Sequence, residues 1–410
     1  MSRIDELSQS VHRRVSFEFD TIDADDADAA GPRIGLLFRQ DRTESFALLR
    51  IVTTQSRFFD VAGAVPAPGD WFRLEIEPSG EGLPSWHSQL GAGGYTNHSR
   101  GVTVRARRLI SEDDDPERPH PRSLGAAVAP AATLPKHISE ISRIPSGPAS
   151  TAALQAALAG IVQPASVLVR DVGQASFTTI RDANGAALLH YDVGFPIAFN
   201  RHTFSKAFDS SSFDNSTNRP LVILSHWDWD HLHAAHSLPS LLESRWIVPS
   251  QRIGPGAARL ALMLAARTNL LVWPANLQIS FPGGIIMECT GSPASQNDTG
   301  LTLYTQLMSG KSALLMGDGD YQFLPPVCTS QGPLNYLIAT HHGARFKSPV
   351  SAIPKPLGAG CTLVVSYGTG NVYRHPHSDA LNLHSTAGWT NWISTAGRHG
   401  AVSRGDRDLQ

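Results

Sequence analysis

LSHWDWDHLHAAH, residues 224–236, places four histidines and two aspartates within thirteen positions. It continues the apolar run LVILS (221–225), which reads as a buried strand, so the polar stretch begins at a strand's C-terminal end. His226, Asp228 and Asp230 stand two apart, and His231 follows directly. On a loop leaving a strand, alternate side chains can share a side. His226 and Asp228 can therefore face one metal ion while Asp230 and His231 turn towards a second. A dication takes several N or O ligands, more than one short loop can donate. Later strand ends offer candidates: Asp318 closes SALLMGD, His341 and His342 close NYLIATHH, and His375 lies in GNVYRHPH. His233 and His236 read as helix-surface or core-edge residues. Trp227 and Trp229 read as packing groups rather than platforms for bases.

A chain of 410 residues is long enough for two domains. With 41% hydrophobic and 17% charged residues it has the composition of an ordinary soluble globular protein. The net charge of −2 lacks the basic excess of proteins that coat nucleic acid. A nucleic-acid substrate would need a local basic patch, for which Arg345, Lys347 and Arg374 are the candidates. Cys289, Cys328 and Cys361 are widely spaced, which argues against a disulfide scaffold or a cysteine-type zinc cluster and for buried, reduced thiols. MSRIDELSQSVHRRV lacks the apolar core of a signal peptide. GAARLALMLAARTNLLVW is interrupted by Arg259 and Arg267 and reads as an amphipathic helix. The expectation is a cytoplasmic protein without membrane contact.

Residues 1–110 carry strand-like runs (RIGLLFRQ, SFALLRIVT, RFFDVAG, DWFRLEIEP, GVTVRARRLI) divided by turn signals such as PAPGD. They predict a small all-β domain, an OB-like barrel, of a kind that binds oligonucleotides or mediates self-association and protein contacts. Residues 111–150, acidic and then Pro- and Ala-rich, read as a linker. Residues 151–410 open with a short Ala-rich helix and a β-meander ending at Asp192 and Gly194. Alternating strands and helices follow, with polar residues at strand ends, which predicts an α/β sandwich. Asp171 and Asp320 read as turn or cap residues, and the Ser-rich stretch 210–216 as a surface loop.

The series H-x-D-x-D-H (226–231), GD (317–318), HHG (341–343) and N-x-Y-x-H-P (371–376) resembles the metallo-β-lactamase superfamily, with Asp228 at a position usually held by histidine. DVGQAS (171–176) and YDVG (191–194) add to the likeness. In this order the motifs resemble the soluble hydrolase domain of the competence protein ComEC, from about Val167 to His377. The resemblance implies an αββα sandwich with two divalent ions, Zn or Mn, at one edge. His226 and Asp228 would bind one ion and Asp230 and His231 the other. Asp318 would bridge, and His341 and His375 would complete the shells. His342 would act on substrate phosphate, Asp192 would orient a ligand, and Asn371, Tyr373 and Arg374 would line the substrate. Three family positions differ: LHAAH replaces a Gly-Gly, Arg374 a glycine before His-Pro, and Ala344 a serine after HHG. All three border the expected substrate path.

The implied chemistry is phosphodiester hydrolysis of DNA or RNA by a hydroxide held between ions about 3.5–4 Å apart, with Asp230 and His342 at the reacting centre. Two rivals stand beside it. One keeps the enzyme and takes a small substrate, a cyclic nucleotide, a phosphocholine-type ester or a lactone. The other is a binding or scaffold module on an inactive hydrolase fold.

Overall fold

The structure, a computed structural model, describes residues 15–21, 32–39, 46–52, 55–63, 71–77, 79–91, 94–109, 143–196, 198–214, 219–253, 255–292, 295–371, 373–397 and 403–410. The expected linker lies largely outside the described residues, as does part of the Ser-rich stretch. The chain divides into two units, 1–143 with 253–258, and 144–252 with 259–410.

In the first unit six strands close a barrel: β1 (Val15–Thr21), β2 (Pro32–Arg39), β3 (Phe46–Val52), β4 (Trp71–Glu77), β5 (Leu83–Gly91) and β6 (Gly94–Leu109). They run in the order β1-β2-β3-β5-β6-β4, and every pairing is antiparallel. RFFDVAG, expected as a strand, is instead part of a helix, Gln55–Ala62. Phe58 is buried, Val61 and Ala62 are half-buried, and Phe59 and Asp60 are exposed. That i, i+3, i+4 spacing is helical, and a seven-residue run is too short to separate it from a strand pattern.

The second unit holds two seven-stranded sheets of mixed direction. The first contains β7 (Ser166–Val169), β8 (Phe177–Arg181), β9 (Ala187–Val193), β10 (Leu221–Ile223), β11 (Trp246–Val248), β12 (Leu270–Val272) and, further along the chain, β20 (Arg407–Leu409). The second runs β13 (Gln278–Phe281), β14 (Gly284–Glu288), β15 (Leu301–Gln306), β16 (Ser312–Leu315), β17 (Tyr336–Ile338), β18 (Thr362–Val365) and β19 (Trp392–Ser394). β7 to β9 form the expected antiparallel meander, whereas β9 to β12 and β16 to β19 pair in parallel.

Alternation along the strands explains how the sheets meet. Val167, Val169, Ile180, Leu189, Tyr191 and Ile223 of the first sheet share one core with Ile286, Leu303, Leu315 and Val364 of the second. The opposite face of the second sheet, through Leu314, Leu337, Leu363 and Val365, packs on Tyr321, Cys328 and Trp389. The middle strands of that sheet, β14 to β18, are therefore apolar on both faces, as a covered sheet requires. All three cysteines are buried and unpaired. Among the described residues, no helix is long and apolar enough to cross a membrane.

Candidate metal centre

Parallel strands end on one edge, and the loops leaving that edge are where α/β sheets gather polar groups. Here β9 delivers Asp192, β10 delivers Ser225 and His226, β16 delivers Asp318, β17 delivers His341 and His342, and the loop after β18 carries His375. After His226 the chain enters a one-turn helix, Trp229–Leu232, with Asp228 at its N-cap in an extended conformation. Asp228 makes no capping hydrogen bond to the helix backbone, so its carboxylate is available elsewhere. Trp227 and Trp229 are buried, as packing groups should be.

Asp318 sits at the centre. Its Oδ1 lies 3.0 Å from His231 Nε2, while its Oδ2 lies 3.8 Å from His226 Nε2 and 3.4 Å from His341 Nε2. Asp228 Oδ2 is 3.3 Å from His226 Nε2, and Asp230 Oδ2 is 3.3 Å from His342 Nε2. The ligand-type atoms of His226, His231 and Asp318 all lie within 4.8 Å of one another, as do those of Asp230, His231 and His342. Yet His226 Nε2, Asp228 Oδ1, His231 Nε2 and His342 Nε2 are buried without a hydrogen-bond partner. Even the 3.0 Å approach of His231 to Asp318 lacks hydrogen-bond geometry. Buried polar atoms left unpaired cost about 1–3 kcal/mol each, so four in one cluster mark a place where another group belongs. An N/O donor set of imidazoles and carboxylates fits Zn²⁺ or Mn²⁺.

The far nitrogens fix the imidazoles. Ser225 donates from its N–H and its hydroxyl to the two oxygens of Asp192, at 2.7 and 2.9 Å. His231 donates from Nδ1 to Asp192 Oδ2 at 2.8 Å, and His226 donates from Nδ1 to Ser225 Oγ at 3.0 Å. His342 donates from Nδ1 to the Ser366 carbonyl at 2.9 Å. In all three Nδ1 is held by an oxygen acceptor and Nε2 is the atom turned to the cluster, the arrangement that outer-shell partners impose on metal-binding histidines. Asp192 thus accepts from both Ser225 and His231 at this edge. Ser225 and Ser366 were not foreseen, because serine after an apolar run is common and carries no signal of its own.

Close packing holds these loops together. A Cβ on Gly317, which has φ +62°, would fall 2.5 Å from the Ser225 side chain, and one on Gly194 would fall 1.5 Å from the Asp230 carbonyl oxygen. Strain concentrates here too. Of the six non-glycine residues with positive φ among those described, Asp192, His341, His342 and Arg374 belong to this edge. His341 and His342 are consecutive left-handed residues (φ 48° and 56°), which sends one ring to Asp318 and the next to Asp230. Such conformations cost about 1–2 kcal/mol each and persist where surrounding structure enforces them. The Gly317 carbonyl, accepting from His341 N–H at 3.1 Å, is one such restraint.

Charge is balanced within the cluster. Against the opposing effect of burial, His231 and His341 hold Asp318 well below the usual carboxylate range. Likewise, despite burial, Asp318 and Asp192 hold His231 well above the ordinary imidazole value. Burial would raise Asp230 and lower His342, but their mutual contact reverses both directions. His375 behaves oppositely: burial, reinforced by His341, His342 and His377, takes it well below the ordinary value.

The remaining expected residues take other places. Asn371 donates to the carbonyls of Gly368 and His375 at 2.8 Å each and accepts from His375 N–H at 2.9 Å. Its amide is engaged in building its own loop, where the sequence had placed it on substrate. The Tyr373 ring stacks on His375 at 5.5 Å between centroids. Arg345, expected to supply positive charge, pairs with Asp379 at 3.2 Å. Asp171 is held by Arg404, and Asp320 stands at the N-cap position of the turn at Tyr321–Phe323 with its carboxylate accepting from Lys347 N–H at 3.0 Å. His233 is buried, so of the readings for His233 and His236 the core edge applies to it.

No protein-family model matches this chain, and comparison with curated proteins gives no match. Among solved structures, one described as a possible metal-dependent hydrolase from Veillonella parvula DSM 2008 is similar at 12% identity and a TM-score of 0.35. The likeness covers 56% of this chain and 96% of that one.

Proposed function

We propose that this protein is a hydrolase with a dinuclear metal centre and a metallo-β-lactamase-type sandwich, acting on phosphodiesters. The observation that carries the reading is the split of the Asp318 carboxylate between two converging sets of buried, unpaired donor atoms. His226, Asp228, His341 and Asp318 Oδ2 form one four-ligand set. Asp230, His231, His342 and Asp318 Oδ1 form the other. His342 is thereby assigned to an ion and not to substrate phosphate, since its Nε2 faces Asp230 and its Nδ1 is held by Ser366. Two bound dications would supply the Lewis acidity that activates water and offsets phosphate charge. The chain's own part is to fix the imidazole lone pairs through Asp192, Ser225 and Ser366, and to keep the edge rigid through close glycine contacts.

A nucleic-acid substrate is the first reading, supported by the presence of a closed β-barrel in the first unit, since some small β-barrels bind oligonucleotides. A small phosphodiester is the second reading, favoured by the engagement of Arg345 with Asp379 and by the net charge of −2. Hydrolysis of bis-p-nitrophenyl phosphate and of labelled single- and double-stranded DNA, with Mn²⁺ or Zn²⁺, tests both for wild type beside Asp230→Ala. Metal-dependent cutting of both, lost in the variant, is expected of a nuclease. Cleavage of the small ester alone selects the second reading. No hydrolysis of either by metal-loaded protein overturns the phosphodiesterase assignment.

A further inference from the structure

DVGQAS lies against the centre without contributing a ligand. Ser176 donates its N–H to the Asp230 carbonyl at 2.9 Å, and the Ala175 carbonyl accepts from Ser366 Oγ at 3.1 Å. Gln174 is buried and bridges two segments: Gly368 N–H donates to its Oε1 at 3.3 Å, and its Nε2 donates to His375 Nδ1 at 3.1 Å. The Gly368 contact decides the amide's orientation, because the flipped form would set two N–H donors against each other. Gln174 therefore gives His375 a hydrogen at Nδ1, which leaves the ring's own proton on Nε2.

This is the reverse of His226, His231 and His342, whose Nδ1 atoms donate to oxygen and whose Nε2 atoms face the cluster. A second observation agrees with it. His226, His231, His341 and His342 each bring Nε2 within 4.0 Å of a cluster carboxylate, whereas among the described residues His375 approaches none. It still belongs to the site, with its ring 5.6 Å from that of His341 and 6.3 Å from that of His342. The clamp of Asn371 on both its N–H and its carbonyl holds the backbone in place.

Building on the dinuclear reading above, we propose that His375 is a hydrogen-bond donor to the substrate, through Nε2–H, and not a metal ligand, with Gln174 as the residue that positions its proton. The acceptor is an anionic oxygen of a phosphodiester held at the two ions, either a phosphoryl oxygen or the leaving oxygen. The two four-ligand sets proposed above do not include His375.

Long-range ¹H–¹⁵N spectra of histidine-labelled, Zn²⁺-loaded protein read the tautomer directly, with His375 assigned by loss of its signals in His375→Gln. The expected result is an unprotonated Nδ1 and a protonated Nε2. Metal analysis should give His375→Gln the same two ions per chain as wild type, while His342→Ala falls short. His375→Leu should lower kcat on bis-p-nitrophenyl phosphate about 10²–10³-fold, as loss of one preorganised donor does, and His375→Gln, which keeps an N–H, should recover part of it. Gln174→Glu, whose carboxylate would draw the proton to Nδ1, should lower kcat at unchanged metal content. A protonated Nδ1 in wild type, an ion lost on substituting His375, or an unchanged kcat in His375→Leu would each overturn the proposal. Absence of metal from wild type is a different result, and it overturns the dinuclear reading itself.

Discussion

The loop after β10 and the loop after β18 each present buried histidines to the same edge, and they do so with opposite polarity. In the first, His226 and His231 donate from Nδ1 to Ser225 and Asp192 and turn Nε2 to the cluster. In the second, His375 accepts at Nδ1 from Gln174 and shows a proton. The residue type is the same and the distances are comparable. What an imidazole offers is decided by the partner on its far side.

The strongest way to break this comparison is at the shared carboxylate. Asp318→Ala removes the carboxylate that faces both ligand sets, and it should lower phosphodiester hydrolysis by about 10³-fold or more, with metal content falling below two ions per chain. Activity and metal content close to wild type in that variant would leave the two sets without a common centre. Next in size is Asp192→Asn, which exchanges the acceptor of the His231 proton for an amide that can present a donor. Loss of such an outer-shell partner typically weakens metal affinity about 10–100-fold, and competition with a chromophoric chelator would measure it. Unchanged affinity would mean that Asp192 serves packing alone.

A fourth histidine sharpens the contrast from outside the site. His384 is buried, donates from Nδ1 to the Ala380 carbonyl at 2.7 Å and accepts at Nε2 from Tyr321 OH at 2.7 Å. The neutral ring matches both nitrogens, and burial pushes its pKa down to about 4. Between its unfolded value of about 6.5 and about 4 the unfolded chain binds the extra proton. Stability from this group is therefore fully present above pH 6.5 and is lost as pH falls through 4, with about 2 kcal/mol gone between pH 7 and pH 5. Denaturant unfolding at the two pH values should show a smaller loss in His384→Gln than in wild type. An equal loss would assign the acid sensitivity to other groups.

The smallest expected effect is at Ser225→Ala, which removes one acceptor and one donor but leaves Asp192 on His231. A loss of about 1 kcal/mol in thermal stability and a few-fold change in metal affinity are expected, since His226 keeps its position through burial. A loss of affinity as large as that of Asp192→Asn would make the serine an equal partner in orienting the ligands.

Much of the centre was legible because ligand chemistry is local in sequence. His226 to His231 lie in one loop, and Asp318 and the His341–His342 pair each close an apolar run that ends a strand. The meander from β7 to β9 was legible for the same reason, since its turns are short. Other features had no local signature. The helix at Gln55–Ala62 was obscured because seven residues do not separate a helical period from alternation. The division of labour between His341 and His342 depends on two left-handed residues that no composition announces.

Sequence by itself thus determined which atoms could bind metal and which strand ends would carry them, because residue type and spacing along a loop are covalent facts. Only the tertiary structure decided what each histidine presents. Gln174 and His375 are 201 positions apart, and Asp192 and His231 are 39 apart. The proton on an imidazole goes to whichever nitrogen meets an acceptor, and that meeting exists only once the sheet edges have packed.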